Sequence, residues 1–538
     1  MFRILVADSL PEDVILSFKD AEGIAIENRA GISADELKKI FPEFDGLVVR
    51  SRTKVTAEIL TAGERLKVIG RAGAGVDNID IKEATHRGIV VMNTPGANTI
   101  AATEHTIAMM LATLRNIPAA NAKMRLKEWD KKSFVGREIY HKTVGIIGLG
   151  KIGREVARRL KAFEAKVLGY DPILTPEVAH SLGVELVDFD TLLKNADIIT
   201  IHAPKMPETI NMLNAEKFAL CRDGVVIVNC ARGGLVNEED LLSALESGKV
   251  SAAAVDVFTS EPPTDWRLVQ HPHCVTTPHL GASTREAQEK VAGKIFQQIQ
   301  EYALMGIAQN AVNFVSVDEA ILPKIRPYFE LARRLGALFN QIRESRLKKV
   351  HLGLMGSLSK FPADPIASYL MAETFQTSAL KDMPHGVDLI NEVNATAIAR
   401  EKGVTIETTK SDRSLNGHPN FMECTFQTEK QEIRLAGSVL EKRLFRLIEF
   451  DGFQVDAELF GKLVIIVNED VPGIIGKVGT VLGNNRINIS HVTSGRRKER
   501  KLACNIFNVE GDLDAAKLRE QLREIPHLNS VQLVDLKS

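Results

Sequence analysis

Residues 143–171 read TVGIIGLGKIGREVARRLKAFEAKVLGYD. The apolar run TVGII meets Gly148-Leu149-Gly150-Lys151-Ile152-Gly153, the amphipathic stretch REVARRLKAF follows, and a second apolar run ends on Asp171. Strand, glycine turn, helix and strand make a βαβ unit of a parallel sheet. A lone GxGxxG is weak evidence, but this one has the strand before it and the helix after it. The first glycine permits the tight turn, the second lets a pyrophosphate approach the backbone, and the third lets helix and strand pack closely. The helix N-terminus then faces the phosphates. Asp171 is placed to accept hydrogen bonds from ribose hydroxyls, and its charge repels a 2′-phosphate, so the expected cofactor is NAD rather than NADP.

Outward from this unit the pattern repeats. After it come ADIITIHA, GVVIVNCARGG, AAAVDVF and CVTTPH; before it, RILVADS, GIAIEN, GLVVRS, KVIGRAG and IVVMNTPG. Apolar runs separated by amphipathic ones imply two doubly wound α/β units. The helical run 283–306 leads away from the second and is expected to return the chain to the first. From about residue 318 the texture changes to a helix, LPKIRPYFELARRLGALFNQIRE, and β-patterned segments such as FMECTFQ and EIRLAGSVL, which read as a separate α+β domain. The final segment, from LVIIVNEDVPG to SVQLVDL, orders as βαββαβ, a plait with helices covering one face of an antiparallel sheet.

Three later strand ends carry polar residues suited to hydride chemistry. Arg232 in NCARGGLV can grip a carboxylate or carbonyl oxygen, Glu261 lies in VDVFTSEPP, and His279 lies in TTPHLGAS. A hydroxyl that loses hydride must also lose its proton, and His is the side chain best poised to take it near neutral pH. A neighbouring Glu would orient the imidazole and stabilise its protonated form. All three follow strands whose carboxyl ends are where open α/β sheets bind ligands. Arg50 and Arg52 in VVRSRTKVT suit an anion of high charge such as a phosphate monoester. His105 and His202 read as packed or capping residues. His271 and His273 in HPHC have no further ligands at metal-binding spacing, so no metal is expected.

Composition narrows the setting. In 538 residues, 68 Lys and Arg stand against 69 Asp and Glu, so no global field would hold the chain on nucleic acid or an anionic membrane. No apolar run approaches the roughly 18 residues of a membrane span, and the start MFRILVADSLPEDV is no signal peptide, so a cytoplasmic protein is expected. Five cysteines without a CxxC pair fit neither a disulfide scaffold nor a zinc ribbon.

Arg232, Glu261 and His279, with the nucleotide fingerprint set between two halves of another βα domain, resemble the D-2-hydroxyacid dehydrogenase family over about residues 1–313. GRAGAGVDNID (70–80) and VMNTPGANT (91–99) narrow the match. INEVNATAIAREKG (390–403) with AGSV (436–439) resembles the intervening allosteric-substrate-binding domain of the long-form D-3-phosphoglycerate dehydrogenases, and DVPG (470–473) with INIS (487–490) resembles an ACT domain. The resemblance implies a substrate-binding domain at 1–97 plus 283–313, an NAD-binding Rossmann domain at 98–282, an intervening domain at 314–458 and an ACT-like regulatory domain at 459–538. It implies an NAD site of Gly148, Gly150, Lys151, Ile152, Gly153, Asp171, Cys230, Ala231, Arg232, Asp256, His279, Leu280, Gly281 and Ala282, and places a substrate carboxylate on the amides of Gly73 and Ala74. Ala74 and Ala203 stand where relatives often have Thr. The implied reaction is the NAD-dependent oxidation of 3-phosphoglycerate, with a reductase for another D-2-hydroxy acid and a dinucleotide-sensing protein as alternatives. L-serine is the effector implied, held by Asn468, Asp470 and Asn488 in a homo-oligomer, a dimer or tetramer.

Overall fold

In the computed structural model, residues 1–19, 21, 23–314, 317, 321–376, 390–415, 417–441, 444–497 and 501–536 are described. Strands β1 (Phe2–Val6), β2 (Ile24–Asn28), β3 (Gly46–Val49), β4 (Val68–Arg71) and β5 (Val90–Met92) form a parallel sheet in the order β2-β1-β3-β4-β5. The second sheet is also wholly parallel. It contains β6 (Thr143–Ile147), β7 (Lys166–Tyr170), β8 (Glu185–Leu186), β9 (Ile198–Ile201), β10 (Val225–Asn229), β11 (Val250–Val255) and β12 (Cys274–Thr276), ordered β12-β11-β10-β9-β6-β7-β8. The order reverses beside β6, and that switch point is where a ligand crevice opens. The central strands β9 and β10 are buried throughout, as strands covered by helices on both faces must be.

The helix Arg285–Met305 returns the chain to the first sheet, where Val291, Ile295, Phe296 and Ile299 pack with Ile4, Val68 and Met92. Asn313 fastens the return: its amide donates to the Ile89 carbonyl at 2.8 Å and its side-chain oxygen accepts from Val91 N.

The third sheet is mixed. Its strands β13 (Leu347–Met355), β14 (Thr405–Ser411), β15 (Phe421–Thr428), β16 (Glu432–Leu440), β17 (Leu444–Phe450) and β18 (Phe453–Glu458) run in the order β14-β13-β15-β16-β17-β18, with only the β13/β14 pair parallel. The fourth holds β19 (Gly461–Glu469), β20 (Asn488–Arg497), β21 (Leu502–Glu510) and β22 (Leu528–Leu536), ordered β20-β21-β19-β22 and antiparallel, with the helices Ile474–Asn484 and Ala515–Arg523 on one face. The reading of 314–458 as a separate domain needs one change. Leu463, Ile465, Cys504, Ile506, Val534 and Leu536, on the face opposite those helices, belong to the same apolar core as the helix Leu322–Ile342 and the third sheet. The two C-terminal sheets share one core. Among the described residues no helix is long and apolar enough to cross a membrane.

Candidate active site

β6 delivers the chain to Gly148, whose φ of 92° suits glycine, and the helix Lys151–Ala162 starts at Gly150 with no side chain capping it. Its first amides are therefore free for an anion. A Cβ on Gly150 would meet nothing within 4 Å, so the turn opens onto the crevice; a Cβ on Gly153 would lie 2.0 Å from the Gly148 carbonyl oxygen and push helix and strand apart. Asp171 accepts from Leu149 N at 2.8 Å on one oxygen and from Ile173 N and Leu174 N on the other. Burial alone would raise its pKa, but these backbone donors hold it below the usual range, so it is a carboxylate fixed at the end of β7. The donors present fit a dinucleotide: open amides for a pyrophosphate and a held anion for a ribose.

The second wall is the turn after β12. Asp256, fully buried, accepts from Leu280 N at 2.7 Å, Gly281 N at 2.9 Å and the Thr277 hydroxyl at 2.6 Å, and lies 3.1 Å from His105 Nε2. Burial works against the charge, and the bonds from His105, Thr277 and Leu280 outweigh it, so Asp256 titrates low. A carboxylate with a depressed folded pKa contributes stability that is complete above its ordinary value of about 4 and is lost as pH falls through the folded value. Asp256→Asn turns an amide donor toward N–H groups, and we expect a loss of about 2–3 kcal/mol in urea unfolding at pH 7. An unchanged midpoint would contradict this reading.

Held this way, the turn places His279 in the left-handed region at φ 55°. Its Nδ1 lies 2.7 Å from Glu261 Oε2, while Glu261 Oε1 accepts from Phe258 N at 3.2 Å. A carboxylate only accepts, so Nδ1 donates and Nε2 keeps its lone pair. Burial would raise the Glu261 pKa; the hydrogen bond from His279 and the electrostatic attraction to its ring hold it below the usual range.

A group of arginines gathers at the ends of β3, β4 and β10. Arg232 donates to the Ala231 carbonyl at 2.7 Å and lies 3.3 Å from Asp77. Arg71, at the end of β4, folds back over Gly73, where a Cβ would sit 1.6 Å from its Nη1; only glycine leaves that space. Burial first, then Arg232 and Arg50, push its pKa down to about 10, and its buried Nε has no partner among the described residues. Asn93 holds the Ala74 carbonyl at 2.5 Å, and Thr94 N donates to the Gly73 carbonyl, which fixes the Gly73–Ala74 loop. Arg50 is positioned by Asp8, which accepts from its backbone N at 2.6 Å. Arg52 donates to the Gly31 carbonyl at 3.1 Å.

Residues 107–281 match the family described as D-isomer specific 2-hydroxyacid dehydrogenase, NAD binding domain; 324–451 match the D-3-phosphoglycerate dehydrogenase intervening domain, and 462–527 the ACT domain. The D-3-phosphoglycerate dehydrogenases of Bacillus subtilis and Methanocaldococcus jannaschii are 38% and 39% identical over 537 residues, each alignment covering 100% of both chains. The chain belongs to the D-3-phosphoglycerate dehydrogenase family. Solved relatives cover its N-terminal architecture: the D-lactate dehydrogenase of Aquifex aeolicus complexed with NAD and lactic acid is 27% identical with a TM-score of 0.51, spanning 58% of this chain and 100% of that one. The TT0316 protein of Thermus thermophilus is 32% identical with a TM-score of 0.53 and the same coverage. As a family member the chain is an NAD-dependent oxidoreductase.

In this D-3-phosphoglycerate dehydrogenase relative, sequence reasoning missed Arg71, Asp77, Asn93 and the support that His105 gives Asp256. KVIGRAG reads as a strand and GRAGAGVDNID as a family marker, and neither shows that Arg71 turns back over Gly73. Cys230, beside Ala231, is driven by burial to a pKa of about 12 and is no nucleophile. His202, pushed by burial to about 4, stays neutral. In the plait, Asn468 is buried, accepts from the Asn505 amide at 2.7 Å and donates to the Glu469 carbonyl. Asp470 lies 3.5 Å from Arg496. Asn488 pairs opposite Glu510, whereas Glu469 pairs opposite Leu502 at the other end of the sheet. One chain alone does not bring Asp470 and Asn488 together. Among the described residues no group of three or more His, Cys, Asp or Glu could hold a metal ion.

Proposed function

We propose that the chain oxidises 3-phospho-D-glycerate to 3-phosphohydroxypyruvate with NAD, the first step from that metabolite to L-serine. The observation that carries the reading is the His279–Glu261 pair, 2.7 Å apart, together with Arg232, which follows β10 and reaches Asp77 beyond β4 at 3.3 Å. NAD, when bound, accepts the hydride released from C2. His279 Nε2 takes the hydroxyl proton, and Glu261 stabilises the imidazolium that forms. Arg232 and the amides of Gly73 and Ala74 hold the carboxylate end. Arg50 and Arg71 take the phosphate, a doubly charged group matched to two guanidiniums. Gly150, Lys151, Ile152 and Gly153 cradle the pyrophosphate, Asp171 the ribose, and Cys230, Ala231, Leu280, Gly281 and Ala282 border the nicotinamide. NADH formation from 3-phosphoglycerate, D-glycerate and D-lactate tests this reading. A kcat/KM at least about tenfold higher for the phosphorylated substrate is expected, and equal values would favour a general 2-hydroxyacid dehydrogenase.

Asp171→Ala removes both a ribose acceptor and a charge that repels a 2′-phosphate. The NAD-to-NADP ratio of kcat/KM should fall, and an unchanged ratio would take Asp171 out of cofactor recognition.

The chain works as a cytoplasmic homo-oligomer. Leu126, Trp129, Val135 and Tyr140 are all exposed on the segment before β6, a concentration of apolar surface that a second copy would cover. Serine binds between two plaits: Asp470 takes its ammonium group, with Asn468 beneath, and Asn488 from the partner takes its carboxylate, since one chain holds these groups at opposite ends of the sheet. Serine should inhibit, and Asp470→Ala or Asn488→Ala should abolish inhibition with little change in uninhibited kcat. Calorimetry with no heat on adding serine to the intact protein would overturn the effector assignment and leave the dehydrogenase reading standing.

A further inference from the structure

The third-sheet unit reaches the first sheet through the turn at residues 390–394. Asn391 donates its amide to the Gly88 carbonyl at 2.8 Å, Asn394 donates to the His86 carbonyl at 3.1 Å, and Val393 enters the first sheet's core. Gly88 has φ 71°, and a Cβ there would lie 2.5 Å from the Asn391 amide, so the fit is close. From Gly88 the chain runs directly into β5 and on to Asn93 and Thr94, the residues that fix the Gly73–Ala74 loop. The turn thus clamps the strand that leads to the substrate loop. Glu392, between the two clamping residues, lies 3.5 Å from Arg333.

Beside this turn lies a cavity of about 260 Å³ whose lining includes Ile307, Ala308, Arg326, Arg333, Tyr369 and Glu392. At about 30 Å³ per water that is room for about nine waters, or for a small ligand. Arg326, Glu330 and Arg333 recur at helical spacing on one face of Leu322–Ile342. Glu330 is held by Arg334 at 2.8 Å and Glu392 by Arg333, so the acids on this wall are engaged. Arg326 has no ion-pair or hydrogen-bond partner among the described residues, and neither has the Tyr369 hydroxyl. Burial, reinforced by Glu392, pushes Tyr369 up to about 12, so it remains a neutral donor. The second ring face of Tyr369 is closed, with Phe329 stacked at 4.4 Å and Arg333 at 4.9 Å, so the ligand is not selected by aromatic stacking. Two guanidiniums, a free hydroxyl donor and an aliphatic wall suit a carboxylate on a short apolar body.

We propose that this cavity binds a small aliphatic carboxylate, and that the ligand competes with Glu392 for Arg333, loosening the turn that clamps β5 and so weakening substrate binding. The binding itself does not depend on the identity of the dehydrogenase substrate. The test is titration calorimetry of the full-length protein, saturated with NADH, using isovalerate as probe and inorganic phosphate as a second anion, with the KM for 3-phosphoglycerate measured at each isovalerate concentration. Isovalerate should bind once per chain and raise KM at least about twofold without changing kcat. Arg326→Gln, at an exposed position, should weaken binding about tenfold, and Ala308→Trp should abolish it by filling the cavity; neither should alter kcat in the absence of probe. No heat from isovalerate with the parent protein, phosphate binding without isovalerate binding, or heat undiminished in both variants would overturn the site. Binding that leaves KM unchanged would overturn its coupling to the turn. Loss of dehydrogenase activity in the parent would instead count against the proposed reaction, which the calorimetric arm does not use.

Discussion

His279→Ala is expected to lower kcat by about 10²–10⁴, the usual contribution of a positioned acid–base group. The expectation rests on one geometric fact: Glu261, 2.7 Å from Nδ1, engages that nitrogen and leaves Nε2 to act as the base. Alanine removes the base but leaves the glycine turn at Gly148–Gly153 and the Asp256 anchor untouched, so NADH binding followed by fluorescence should be within about twofold of the parent. Because kcat and kcat/KM should fall together, the loss belongs to the transition state rather than to substrate binding. Glu261→Gln is the companion: it keeps a hydrogen bond and loses the charge, so its effect should be smaller. If His279→Ala retains the parent's kcat, the proton leaves by another route and the pair is structural.

Arg71→Ala should raise the KM for 3-phosphoglycerate by about 10- to 100-fold, as expected for hydrogen bonds to a charged group worth about 1.5–3 kcal/mol, and change the KM for D-glycerate little. Arg71 is buried near Arg232 and Arg50, with Asp77 and Asp8 offsetting only part of burial and repulsion, so its pKa is still held down to about 10, an arrangement that is unfavourable until an anion arrives. Removing it should therefore leave the melting temperature unchanged or raise it. That opposite movement of stability and affinity separates an anion-binding role from a structural one. Equal losses for the two substrates, or a fall in stability matching the fall in affinity, would assign Arg71 to the scaffold.

The parallel sheets were legible because buried parallel strands are continuous apolar runs, and the cofactor turn because its glycines are needed at fixed spacing. β14 was not: Thr405–Ser411 is an exposed edge strand, so TIETTKS carries no alternation. The helix Ala363–Phe375 was missed for the opposite reason, since it is buried on nearly every side and has no polar face to mark its period. His279 and Glu261 could be paired from the chemistry they share. The contact between Arg232 and Asp77 depends on how two sheets face each other, which no local pattern encodes. The motif INEVNATAIAREKG stood out as text, but that two of its asparagines grip carbonyls of the first sheet was visible only in three dimensions.

The core shared by the third and fourth sheets bears on how such a chain can be cut or rebuilt. Leu463, Ile465, Cys504, Ile506, Val534 and Leu536 present an apolar face that belongs to one core with the helix Leu322–Ile342 and the third sheet. Excising residues 461–538 as a regulatory cassette would leave both halves with greasy surfaces suited to aggregation, and grafting that cassette onto another enzyme would export the same liability. The family unit and the physical unit do not coincide here: the two segments that match separate family models share one core, and we expect them to melt together in calorimetry.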